Sequence, residues 1–401
     1  MDAFGYKPIW RDERTRDGGR ANALADLRQR MKGEDGLRAL TELSVLSTAA
    51  KGSASPSLVV FAVDVQTRIG LAIKVVPVYQ DAYYNAVAIP PVDAAQWSGR
   101  SDPLSFADLD ALANIALHYE SCVYTNVIPE LHHTPHLVRP VGQLIVQPDQ
   151  SALPHLLYDT LLGHGIVDPS VEDVTALHLI MTERVPSTVT LHQALIEASE
   201  EDIRSFLFQL VYTLHVLTAN EVVHHDLHLR NILVDQSPAE AGFVYKVGGH
   251  RFQVPMGAGK LLLFDWDRAY APRHCGDNPL LHHVACERQS ACNSFSGKYD
   301  MTFVLGMVAM LVATNRVVKF RLRPEAMTFL TECLGDTYGV YHRKFRRNTL
   351  DPETFRPCHR PSGKLSGRCL PWPADDPPSV LSPSEALQLP YFDQFRVPLS
   401  A

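Results

Sequence analysis

Apolar positions change their spacing along this chain, and the change divides it. From Leu43 to Leu46, Leu58 to Val65 and Leu71 to Val78 they form short aliphatic and β-branched runs, which predict strands. The small residues of 47–56 and the segment Gln66–Gly70 predict the turns of a meander. Leu109, Leu112, Ile115, Ala116, Cys122 and Val123 recur at helical spacing and predict a helix over Phe106–Val127. A strand over Leu137–Val146, a short helix near Leu156–Leu162 and a fully apolar strand over Leu177–Met181 follow. Beyond these the pattern turns mainly helical, over Ile203–Leu217 and again over Met301–Val318. Gly248-Gly249-His250 between two β-rich runs, 243–247 and 251–254, marks a hairpin. Residues 1–35 are polar and predict a flexible or weakly helical lead-in, and Pro357–Pro383 reads as Pro-rich linker before a helix-like stretch, Ser384–Gln388. Strands first and helices later suggest two packed lobes rather than alternating βα units.

Composition narrows this. Of 401 residues, 46% are hydrophobic and 20% charged, enough for a sizeable core, so a wholly disordered chain is excluded. Lys and Arg number 37 against 44 Asp and Glu, a net charge of −7, which lacks the basic character of a general nucleic-acid binder. No nucleic-acid partner is expected. An odd count of seven cysteines and a charged N-terminus predict a reduced, intracellular setting. The apolar run Met301–Val318 is broken by Thr314, Asn315 and Arg316 and predicts a buried helix, so no membrane partner is expected.

The candidate chemistry lies in His224-His225-Asp226-Leu227-His228-Leu229-Arg230-Asn231-Ile232-Leu233-Val234, followed beyond the hairpin by Lys260-Leu261-Leu262-Leu263-Phe264-Asp265-Trp266-Asp267. An acid, an amide five residues on and a second acid after an apolar strand suit phosphoryl transfer. Asp226 can orient the proton of an attacking hydroxyl, and Asn231 and Asp265 offer hard oxygen ligands to Mg²⁺. The His and Cys residues at 274, 275, 282, 283, 286 and 292 contain no tight Cys-x-x-Cys pair, so they read as loop rather than zinc site.

His-x-Asp-Leu-His-x-x-Asn-Ile-Leu followed by Asp-Trp-Asp resembles the catalytic and metal-binding loops of the protein-kinase superfamily. Ala72-Ile73-Lys74 resembles its strand lysine motif. The resemblance implies an α+β bilobal protein-kinase-like fold: an extension over 1–40, a small antiparallel sheet with one helix over 41–183, and a larger, mainly α-helical lobe over 184–401. ATP with Mg²⁺ would bind in the cleft, with the γ-phosphoryl group passing to Ser or Thr of a protein substrate. Lys74 would hold phosphates and pair with Glu120. Ala72 and Leu233 would sandwich adenine, Thr182 would stand beside it, and backbone groups of Glu183 and Val185 would bond it. Asp300 would anchor the catalytic loop from below, and His224 would be a packed support. His228 stands where the family usually has a phosphate-steadying lysine, which implies pH dependence between about 6 and 7.5. His228 and the hairpin insertion are similar to kinases of large cytoplasmic DNA viruses, a setting that implies host cytoplasm and allows packaging in a particle.

The chain departs from the family pattern in places. Gly52 is the one glycine of its phosphate loop, Asp267 replaces a glycine, and no Ala-Pro-Glu precedes Asp300. Asp267 and the missing Ala-Pro-Glu keep a small-molecule kinase of the aminoglycoside or choline type as an alternative, and the phosphate loop keeps an impaired pseudokinase.

Overall fold

The computed structural model describes residues 4–11, 18–50, 57–79, 119–167, 174–238, 240–278, 281, 295–313, 324–339 and 379–398. In chain order the strands are β1 (Gly5–Trp10), β2 (Leu43–Ala50), β3 (Leu58–Asp64), β4 (Gly70–Tyr79), β5 (Pro140–Val146), β6 (Val174–Glu183), β7 (Thr188–Thr190), β8 (Ile232–Asp235), β9 (Glu240–Val247), β10 (His250–Pro255), β11 (Lys260–Leu263) and β12 (Arg396–Val397). The main helices are α1 (Gly18–Arg30), α2 (Gly33–Leu40), α3 (Ala152–Gly163), α4 (Leu191–Glu197), α5 (Glu200–Ala219), α6 (Tyr299–Ala313) and α7 (Pro324–Leu334). The chain divides into two compact units, one of residues 17–128 and 138–186, the other of 1–16, 129–137 and 187–401.

The first unit is built on an antiparallel sheet of order β2-β3-β4-β6-β5. Period-two alternation explains its core: Leu58, Val60 and Ala62 of β3 and Leu71, Ile73 and Val75 of β4 are buried together. Leu24, Leu27 and Met31 of α1, Ala39 and Leu40 of α2, and Leu153, Leu157 and Leu161 of α3 join that core. This corrects the expected single helix. It also corrects the expected 1–40 extension, whose helices cover an apolar sheet face. The polar look of the segment comes from the outward sides of these helices. Arg30 fastens α1 to the β2–β3 hairpin, with Nη2 2.6 Å from the buried Asp64 and Nη1 2.9 Å from Glu42. The hydrogen bonds from Arg30 and Thr67 outweigh burial and hold the Asp64 carboxyl below its usual value. β2 runs to Ala50, past the expected strand end at Leu46, with a register shift between Val45 and Ser47. Of the predicted 106–127 helix, residues 119–122 are helical and lead into a π-helical turn, Val123–Val127; the part before 119 lies outside the described residues.

In the second unit, α5 is buried along nearly its whole length and starts at a capping box formed by Ser199 and Asp202. Phe208 and Tyr212 of α5 pack against Tyr245 of β9, and Phe208 also meets Phe252 and Phe392. The predicted hairpin forms as β9 and β10. It is the centre of a sheet of order β1-β9-β10-β12, and a second sheet has order β11-β8-β7. The mainly α-helical second lobe is therefore corrected to a mixed α+β unit. The lead-in is corrected too: Gly5–Trp10 pairs antiparallel with β9, and Tyr6 packs on Phe243 at 5.5 Å. Its partner strand is far away in sequence, so no local pattern announces it. No helix among the described residues is long and apolar enough to cross a membrane.

Candidate active site

The candidate catalytic loop is held at both ends by pairing. β8 and β11 are antiparallel, with Ile232 opposite Leu263, so Asn231 just before β8 meets Phe264 and Asp265 just after β11. The Phe264 N–H donates to the Asn231 carbonyl at 3.2 Å. Buried Gln209 of α5 sets the height of β11: its Oε1 accepts from the Leu261 N–H at 2.8 Å and its Nε2 donates to the Gly259 carbonyl at 3.1 Å. Gly259 has φ +119°, and a Cβ there would lie 2.5 Å from Val234 Cγ1 and 2.7 Å from the Asp235 carbonyl, so glycine is required.

Asp300, at the start of α6, accepts the N–H groups of His224 and His225 at 2.6 and 2.9 Å. Burial pushes its carboxyl up, against these two bonds. The His224 ring lies 4.5 Å from that of Trp266, and its Nε2–H donates to the Phe264 carbonyl at 3.0 Å, which ties the two loops together. His225 takes φ +61° and Asp265 φ +69°, left-handed conformations that cost a non-glycine residue about 1–2 kcal/mol each. Such outliers cluster at functional sites, where surrounding bonds enforce them.

Within the loop, the Asp226 carbonyl accepts from the His228 N–H at 2.8 Å and from Asn231 Nδ2 at 2.9 Å. The second bond orients the Asn231 amide, and its Oδ1 accepts no hydrogen bond among the described residues. A carbonyl oxygen so disposed suits a hard cation, as does the Asp265 carboxylate. His228 Nδ1 accepts from the Arg230 N–H at 3.2 Å, which orients the ring within the loop.

Sequence reasoning overlooked Arg268. Its Nη1 lies 3.5 Å from Asp226 Oδ1, both side chains being largely buried. Burial lowers the guanidinium pKa, but the carboxylates of Asp226, Asp267 and Asp265 outweigh it and the net shift is upward. The signal was available, since Arg268 directly follows Asp-Trp-Asp. His136 was overlooked as well. It is fully buried between the Tyr245 hydroxyl at 2.8 Å and the Leu261 carbonyl at 3.1 Å, where burial holds the imidazole at about 3.

The other unit carries the remaining candidates. Lys74 on β4 lies opposite Val59 and Ile180, and its Nζ is 2.6 Å from Oε2 of Glu120, whose side chain is 2% exposed. A buried carboxylate next to a strand lysine is costly to desolvate and is weak evidence of stability, so it points to a functional constraint. Ala72, on the same sheet face as Lys74, pairs with Thr182, whose Oγ1–H donates to the Ala72 carbonyl at 3.3 Å. Thr182 and Glu183 end β6 rather than forming a loop. The Glu183 N–H donates to the Arg139 carbonyl at 2.9 Å, and its carboxylate takes two bonds from Arg20 of α1, at 2.7 and 2.9 Å. The Val185 backbone makes no hydrogen bond among the described residues. Leu233, in the 187–401 unit, sits half-buried on β8 between buried Ile232 and Val234, so it turns to the opposite sheet face. Gly52 lies outside the described residues.

Neither protein-family models nor curated protein sequences give a match to this chain. Among solved structures, the kinase PK-1 of the Cydia pomonella granulovirus is similar at 12% identity, with a TM-score of 0.30. The match covers 59% of this chain and 55% of that one, so it spans little more than half the viral kinase. A likeness of that degree does not establish a shared fold, and the geometry above carries the functional reading.

Two of the candidate sets are thus assembled locally. Asp226, Asn231 and Asp265 are drawn together by β8–β11 pairing, and Lys74 with Glu120 by an ion pair. Each set is held by residues of its own unit.

Proposed function

We propose that this protein is a phosphotransferase that moves the γ-phosphoryl group of ATP, with Mg²⁺, to a hydroxyl acceptor, and that the acceptor is Ser or Thr of a protein. The observation that carries the reading is the pre-organised loop: Asp300 accepting two consecutive N–H groups, and Asn231 bonding the Asp226 carbonyl. A loop held in this way presents a carboxylate and an amide oxygen with little left to order when substrate arrives. In this reading Asp226 receives the acceptor hydroxyl. Asn231 Oδ1 and Asp265 would hold Mg²⁺, which supplies charge neutralisation at the phosphates. Lys74, kept in place by Glu120, contacts ATP phosphates. The open Val185 backbone groups and the half-buried Ala72, both of the unit that carries Lys74, suit the adenine.

Transfer of labelled γ-phosphate from Mg-ATP tests this, with casein, myelin basic protein and the protein itself as acceptors and aminoglycosides and choline in parallel. Label on protein Ser or Thr that disappears in Asp226→Ala supports the reading. Label confined to a small molecule replaces the acceptor class. Absence of both transfer and ATP binding sinks the reading and favours a scaffold.

A further inference from the structure

Resting on the phosphotransferase reading, a further residue can be assigned to the reaction. Asp300 and Asn231 fix the backbone around Asp226, but backbone bonds do not choose the rotamer of its carboxylate. An acceptor hydroxyl needs that choice made, because a misplacement of about 1 Å at a reacting group can cost about 100-fold in rate. Arg268 is placed to make it. Its Nη1 stands 3.5 Å from Asp226 Oδ1.

Arg268 is itself held. Its carbonyl accepts from His225 Nδ1–H at 3.3 Å. Its two chain neighbours are clamped by fully buried Asn278, whose Nδ2 donates to the carbonyls of Asp267 at 3.0 Å and Ala269 at 2.8 Å. The carboxylates of Asp267 and Asp265 draw on the same guanidinium. A cation in such a setting, on a clamped backbone, is rigid enough to set the direction of a carboxylate beside it.

We propose that Arg268 is a positioning residue for the phosphoryl transfer, holding the Asp226 carboxylate in the orientation that receives the acceptor hydroxyl. It acts through Asp226 and has no contact with the transferred group in this assignment.

The test is a kinetic cycle on the full chain with Mg-ATP and whichever acceptor the wild type labels. Arg268→Gln should lower kcat by about 100-fold while KM for ATP stays within about twofold. Arg268→Lys should restore part of the lost kcat. On an Asp226→Asn background, Arg268→Gln should cost nothing further, since its target is gone. If the Gln variant does not fold, Arg268→Met, which keeps the aliphatic stem and buries no new polar group, takes its place in the cycle. Wild-type kcat in the neutral variant overturns the inference and leaves the phosphotransferase reading standing. So does an equal loss on the Asp226→Asn background, or a loss that Lys does not repair at all. A wild-type chain that transfers phosphate to nothing overturns both.

Discussion

Replacing Asp300 by Asn should destabilise the second unit and disable the candidate loop together. The wild-type carboxylate accepts two N–H groups at 2.6 and 2.9 Å in a site closed to water. An amide of the same shape offers one oxygen, so one N–H keeps a weaker, neutral bond and the other faces an NH₂ group. Bonds to a charged group contribute about 1.5–3 kcal/mol each, neutral ones about 1 kcal/mol, and a buried orphan donor costs about 1–3 kcal/mol. Relief from burying a charge offsets part of this, which leaves a net loss of about 3 kcal/mol. At about 2–4 °C per kcal/mol, the thermal midpoint should fall by about 6–12 °C. His225 is held at φ +61° by the same carboxylate, so release lets the loop relax and move Asp226. Transfer from Mg-ATP should then drop by about 100-fold with ATP binding retained. Calorimetry at pH 7 and a nucleotide-binding titration read the two effects separately. A variant with an unchanged midpoint and full transfer would refute the idea that Asp300 organises this loop.

Other outcomes follow from the same geometry. Lys74→Met leaves the Glu120 carboxylate buried without this partner and should cost about 2–3 kcal/mol, less than the 3–5 of a fully buried pair because Lys74 is 19% exposed. Adding Glu120→Gln should recover stability but not transfer, and urea titrations of the single and double variants check the sign. His136 and His225 are each held at about 3 by burial, below the ordinary 6.5, so the unfolded chain binds more protons between these values. Their contribution is complete above pH 6.5 and is lost as pH falls towards 3, at about 1.4 kcal/mol per pH unit per histidine. A chemical-denaturation series from pH 7 to 4 should show the slope reduced by about 1.4 kcal/mol per pH unit in His136→Gln. Gly259→Ala, with its Cβ driven against Val234 and Asp235, should cost about 2 kcal/mol or more and shift β11, lowering both midpoint and transfer. Deleting residues 1–11 should lower the midpoint of the second unit, because β1 is a strand of its sheet; an unchanged midpoint would restore the lead-in reading.

The elements whose order is written locally could be read from residue spacing alone. The β3–β4 meander and the β9–β10 hairpin show in residue spacing because their strands alternate, and helices α5 and α6 because each is apolar over a contiguous run and buried nearly all round. The candidate site was also legible where it is contiguous, in Asp226 to Asn231 and in Asp265, since a short pattern of residue types at fixed spacing can be read without the fold. The remaining features depend on contacts between segments distant in the chain. Strand β1 exists because β9 offers it an open edge, and α1 and α2 fold because the sheet has an apolar face to cover. Thr182 and Glu183 extend β6 past the expected strand end at Met181, and the Glu183 carboxylate is taken by Arg20, which no local pattern could announce. Arg268 was visible as a letter beside Asp-Trp-Asp, but its proposed role rests on the Asp226 carboxylate that folding brings to 3.5 Å from it. A cation is informative only once the carboxylates around it are known, and burial, which sets the strength of their interaction, is a property of the folded chain.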